Sequence, residues 1–235
     1  MTTRRHVLPM ALLGLAGCAL TGPARRADRH LARHEFVAAI WEYGNAIDRG
    51  NSDPDVAWHR ACTLRIMGDE REAERDLVRA ARAGSIEAKA LLMAARGVSD
   101  LSIPRQLIDR YPDAEWAWAL YGDCLMRAQR PDDAAMAYER SLAIDPRGDI
   151  AQSVRYNLVL ALLRQGRLEE ATSQLNSYLT YLDGQPGADE RLLAGILAYG
   201  RGDWAGARAA WRGLPSAVRA ALRHTVGDED AFSEL

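Results

Sequence analysis

The chain has 235 residues, of which 48% are hydrophobic and 26% charged, with a formal net charge of -2. This composition excludes a wholly disordered chain, and three cysteines with nineteen aperiodic glycines exclude disulfide-dense and collagen-like classes. The near-neutral balance supplies no general attraction to polyanions, so no nucleic-acid partner is expected.

In chain order, Arg4 and Arg5 open a short basic stretch, and Val7 to Gly17 is apolar apart from the break at Pro9. That length suits a secretory h-region and falls short of the ~20 residues of a spanning helix. The stretch ends Leu15-Ala16-Gly17-Cys18. This resembles the lipobox of bacterial lipoproteins, a large apolar residue and two small ones ahead of a cysteine. The resemblance implies that residues 1–17 are a lipoprotein signal peptide and that Cys18 becomes the triacylated mature N-terminus. The alternative is an ordinary signal peptide whose cut site precedes a cysteine. Three acyl chains exceed the two signals that stable anchoring takes. Ala19, standing where an aspartate would retain the protein, implies by the proteobacterial sorting rule an outer-membrane anchor facing the periplasm. Thr3 to Leu8 also resembles a twin-arginine motif, so twin-arginine and Sec export both remain open. Next come Arg25, Arg26, Arg29 and Arg33 against Asp28 and Glu35. They either lie on anionic headgroups or form a solvated first helix.

Beyond the leader the chain repeats. Several segments share an apolar helix, a turn, and a second helix centred on an alanine. Those alanines are Ala39, Ala73, Ala134, Ala171 and Ala207, spaced by 34, 61, 37 and 36 residues. The long gap splits into 27 and 34 if a degenerate unit is placed at Asp100. Four residues after each alanine stand Tyr43, Leu77, Tyr138, Leu175 and Trp211; five before it stand His34, Gly68, Gln129, Gly166 and Gly202. Twelve before it stand Ala27, Ala61, Gly122, Val159 and Gly195. No window shows strand-like alternation. This pattern resembles the tetratricopeptide repeat (TPR), most clearly over Trp118 to Pro146 and Tyr156 to Ala171. The resemblance implies an all-α, right-handed helical solenoid of about six helix-turn-helix units. Their expected limits are 20–53, 54–84, 85–114, 115–151, 152–187 and 188–214, the first without a clear opening helix and the third shortened. Residues 215–226 then form a capping helix, and 227–235 an acidic tail. In this register Cys62 and Cys124 lie two repeats apart, too far for a disulfide, and read as buried thiols.

The sequence offers no catalytic or metal-binding constellation. It holds no HExxH, GxSxG or P-loop motif, and His30 and His34, four apart beside Arg29 and Arg33, lack companion ligands. No cofactor and no enzyme activity are expected. What remains is surface. The repeat family lines a groove with fixed positions of the first helices, which here implies Trp58, Arg65, Trp116, Asp123, Arg127, Tyr156, Arg164 and Tyr199 as a partner-binding groove. Trp, Tyr and Arg are the types enriched at interface hot spots, although each such aromatic can also be a core filler. A carboxylate clamp is not expected, because only Asn157 fits that scheme and His59, Ala117 and Leu193 occupy the matching positions. A TPR lipoprotein of this size resembles Tad-pilus and type IV pilotin assembly lipoproteins. That resemblance implies an adaptor holding a protein partner, such as secretin or pilus subunits, at the membrane. The alternative is a cell-envelope scaffold for peptidoglycan enzymes or outer-membrane protein assembly.

Overall fold

Thirteen α-helices and no strand make up the described residues of the computed structural model, which are 22–96, 100–181 and 186–226. The expected signal peptide, Cys18 and the acidic tail 227–235 lie outside the described residues. No described helix is long and apolar enough to cross a membrane.

The chain divides into two compact units, Met1–Val154 and Arg155–Leu235. The first holds α1 (Pro23–Leu31), α2 (Phe36–Asp48), α3 (Pro54–Ile66), α4 (Glu70–Arg82), α5 (Ile86–Arg96), α6 (Ser102–Arg110), α7 (Glu115–Arg127) and α8 (Pro131–Ile144), and ends within α9 (Ala151–Arg164). Here α1 pairs with α2, α3 with α4, and α7 with α8, while α5 packs on both α6 and α7. The second unit holds the rest of α9, α10 (Leu168–Leu179), α11 (Ala188–Gly200), α12 (Trp204–Trp211) and α13 (Ser216–Val226). Its principal hairpin is α11 with α12, and Val218 and Leu222 of α13 cover the cluster of Ala198, Ala207, Trp211 and Leu214.

Helix boundaries follow local chemistry. Asp53, Asp69 and Asp203 each cap a helix by accepting a backbone N–H one turn in, from Asp55, Glu72 and Gly206 respectively. Proline stands in the first turn of α1, α3 and α8, where its missing N–H costs nothing. The opening helix that the sequence left indistinct is α1, which buries Ala24, Ala27 and Leu31 on one face.

The repeat positions are where the packing occurs. Each of the five aligned alanines is the fourth residue of its second helix and is fully buried. The Tyr, Leu or Trp four residues on is buried as well. Such a side chain needs a hole in the facing helix. A Cβ at Gly122 would stand 2.5 Å from the Tyr138 ring, and one at Gly195 would collide with the Trp211 indole. The five turn positions all take left-handed backbone, with φ of 59° at His34, 84° at Gly68, 59° at Gln129, 73° at Gly166 and 76° at Gly202. The register expected at Asp100 is not met. Asp100 stands ahead of α6, where its carboxylate accepts from the Ser102 N–H, and Pro104 and Leu107 do the burying.

Two substitutions test this arrangement. Gln129→Gly should raise the unfolding free energy by about 0.5–1 kcal/mol, the left-handed penalty of a side chain less the extra chain entropy of glycine. Gly122→Val should lower it by about 1–3 kcal/mol through overpacking against Tyr138. Urea unfolding followed by circular dichroism measures both; an unchanged midpoint for Gly122→Val would show that α7 and α8 do not meet as described.

Candidate interaction surface

The eight groove residues implied by the sequence fall in different environments. In the first unit Trp58 and Trp116 are only 4% exposed each. Trp116 lies against Tyr111, with ring centroids 5.1 Å apart. Tyr111 in turn donates its hydroxyl to Glu87 at 2.8 Å, and burial together with that bond pushes its phenol up to about 12. The two tryptophans are therefore core rather than groove wall. An indole carries so much apolar area that it packs against the neighbouring helix when one is within reach. Arg65 crosses its turn to Glu70 at 3.5 Å. Asp123 accepts from the Tyr138 hydroxyl at 2.7 Å, which ties α7 to α8. Arg127, in the last turn of α7, is exposed.

In the second unit Tyr156 is half-buried, its ring 5.7 Å from that of Tyr178. Tyr199 is also half-buried, between Trp204 at 4.9 Å and Trp211 at 6.0 Å. Arg164 is exposed in the last turn of α9. Arg127 and Arg164 thus present the largest accessible fraction of the expected groove, each at the end of a first helix.

A recurring polar tie explains part of this. Tyr43 donates to Asp28 at 2.6 Å just as Tyr138 donates to Asp123, with fifteen residues between donor and acceptor in each case. Hairpins whose second helix carries Leu77, Leu175 or Trp211 instead have Cys62, Leu160 or Ile196 fifteen residues earlier. A buried hydroxyl requires a polar partner, which a buried leucine does not, and the Trp211 indole N–H donates to the Leu192 carbonyl instead. Burial resists ionisation of Asp28, but the His59 ring at 3.7 Å and the Tyr43 hydroxyl hold its carboxyl below the usual range. The same burial and the bond to Asp28 drive the Tyr43 phenol far upward.

Other reactive groups are engaged in packing or local pairing. Cys62 and Cys124 are free and buried, and burial pushes both thiols up to about 12, which keeps them protonated and unreactive at neutral pH. His30 pairs with Glu35 across the first turn. Among the described residues no group of three or more His, Cys, Asp or Glu side chains could hold a metal ion.

One surface was not anticipated from the sequence. Val37 and Trp41 on α2 are 71% and 66% exposed, and with Met67 they line one shallow cleft. Arg71, Arg75 and Arg82 line another along α4. The usable signal was the residue two places either side of each buried alanine, which a 100° turn per residue carries away from the core.

Residues 125–187 match the tetratricopeptide repeat family. No curated protein sequence matches the chain. Among solved structures it is similar to PilF of Pseudomonas aeruginosa, at a TM-score of 0.54 and 15% identity, covering 90% of this chain and 94% of that one. It is also similar to MamA of Desulfovibrio magneticus RS-1, from that protein's residue 41 onward, at a TM-score of 0.50 and 14% identity, covering 69% of this chain and 96% of that one. The fold is all-α and of TPR type, an architecture of protein-interaction scaffolds, and no catalytic family is indicated.

Core and surface roles separate experimentally. Trp116→Ala should cost about 3–5 kcal/mol of stability as a buried aromatic truncation. Arg127→Ala should stay within about 0.5 kcal/mol of the parent. Both follow from urea midpoints, and an unchanged midpoint for Trp116→Ala would return Trp116 to the surface.

Proposed function

We propose that the chain is a lipid-anchored adaptor, fixed through acylated Cys18 to the periplasmic face of the outer membrane, that holds a protein partner for pilus or secretion-system assembly. One observation carries this reading: Leu15-Ala16-Gly17-Cys18, which resembles a lipobox, stands with its cysteine five residues ahead of Pro23, the first residue of an all-helical array of TPR type. A tether of that kind and a scaffold of that kind act by local concentration and orientation, without bond chemistry. The partner is a polypeptide, with secretin or pilus subunits as its class, and no cofactor takes part. Exposed Arg127 in the first unit and exposed Arg164 in the second are each a contact point in their own unit, since guanidinium groups reach carboxylates and backbone carbonyls with several donors at once. The likeness in fold to PilF supports the pilus reading; at 15% identity the likeness is one of fold.

Purification from bacterial membranes tests the reading in two steps. The intact mass should correspond to a chain beginning at Cys18 with three acyl groups. Secretin or pilin subunits should co-purify, and Arg127→Glu with Arg164→Glu should reduce their recovery while leaving circular dichroism unchanged. Recovery of cell-wall hydrolases or barrel-assembly subunits in their place would move the protein to the cell-envelope scaffold class. An unmodified Cys18 would remove the anchor.

A further inference from the structure

The outer face of the first two hairpins combines features that a solvated helix surface does not need. Val37 and Trp41 stand two residues before and two after the buried Ala39. Arg71 and Arg75 stand in the same relation to the buried Ala73. The two pairs occupy equivalent positions of successive hairpins within one compact unit, the arrangement in which regular stacking would turn them to the same side. Met67, which shares a cleft with Val37 and Trp41, precedes Arg71 by four residues across the turn between α3 and α4. Arg82 extends the basic row to the end of α4. Glu74 lines the same cleft as the three arginines, leaving the lining net basic. Arg71, Arg75 and Arg82 are all exposed.

We propose that this face is a membrane-docking surface for an anionic phospholipid leaflet. Trp41, Val37 and Met67 sit at the level of the headgroup–acyl boundary, and Arg71, Arg75 and Arg82 meet lipid phosphates. The proposal rests on the lipid-anchor reading in one respect, the distance to the bilayer. From Cys18 to Pro23 there are five residues, which reach at most about 18 Å when fully extended. A tether that short keeps the first hairpin close to the leaflet and makes contact with it intramolecular. The chemistry agrees. Tryptophan is enriched where a surface is apolar at one end and wet at the other, and basic residues near an anionic leaflet are each attracted within a Debye length. An amphipathic face with a narrow apolar part and arginines beside it binds at the interface without spanning it. Docking through α2 and α4 would fix the orientation of the scaffold as well as its location.

Quenching of tryptophan fluorescence by brominated lipid tests the proposal on the acylated full protein reconstituted in vesicles. The vesicles contain phosphatidylcholine with or without phosphatidylglycerol. The expected result is quenching in the anionic vesicles that is largely lost in Trp41→Phe and retained in Trp204→Phe, the variant of the other strongly exposed indole. The triple variant Arg71→Gln, Arg75→Gln, Arg82→Gln should lose most of it too, as should the parent in pure phosphatidylcholine. Circular dichroism confirms that each variant is folded. Acylated protein on anionic vesicles whose quenching is unchanged in Trp41→Phe would overturn the docking surface and leave the anchor standing. Should the protein purified from bacterial membranes prove to carry no acyl groups and still show Trp41-dependent quenching on anionic vesicles, the anchor would be overturned and the docking surface would stand. Absent quenching together with arginine-dependent binding of polyglutamate would assign the face to an acidic polypeptide, and the proposal would fail.

Discussion

Everything in this molecule depends on a large side chain of one helix finding a hole in the helix before it. A thirteen-residue helix is marginal in water by itself, and most of its stability comes from the face it buries. Here that face is organised around one alanine and the Tyr, Leu or Trp a turn later. Burying such a side chain contributes about 1.5–3 kcal/mol only if the opposite helix comes close without collision. Gly122 below Tyr138 and Gly195 below Trp211 satisfy that condition in the tightest form, with the Cβ removed altogether. Where the side chain is Leu175, Val159 stands sixteen residues earlier, and both are buried.

The same constraint explains why so much of the fold is legible in the sequence. A hole, a filler, a buried alanine and a left-handed turn must keep their spacing, because each is fixed by the geometry of one hairpin. The turn position shows how firmly: His34 and Gln129 take positive φ although neither is glycine, so the hairpin dictates the backbone there and the residue accommodates it. The register failed only where the hairpin is shortened. Around α5 and α6 the filler positions are Pro104 and Leu107, and no alanine stands at the repeat spacing to mark them.

The interaction surface was less legible, for a related reason. First-helix positions that a repeat family uses for binding are also the positions nearest the preceding hairpin, and an aromatic there can turn either way. Trp58 and Trp116 turn inward, Trp116 against Tyr111, while Tyr156 and Tyr199 are half-buried against rings of their own unit. Residue type cannot separate these outcomes, because the apolar area that makes an aromatic a good contact also makes it a good core residue. Charge separates them only in part, since Arg65 is held against Glu70 and Asp123 against Tyr138. Arg127 and Arg164, in the last turns of α7 and α9, are exposed, as expected of guanidinium groups at helix C-termini.

Polarity inside the hairpins follows the same logic of matched pairs and bears on what the scaffold can do. Tyr43 with Asp28, and Tyr138 with Asp123, place a hydroxyl and a carboxylate in contact at positions where other hairpins carry apolar residues. Tyr178 likewise donates to the buried Glu190 at 3.0 Å, linking α10 to α11. Each tie satisfies groups that would otherwise be buried without a partner, a state costing about 1–3 kcal/mol. They hold the Asp28, Asp123 and Glu190 carboxylates and the Tyr43, Tyr138 and Tyr178 phenols in structural roles. These six side chains are occupied in joining helices. The variable chemistry is left to the outward positions, where a residue such as Trp41 or Arg71 can change without disturbing the hairpin that carries it.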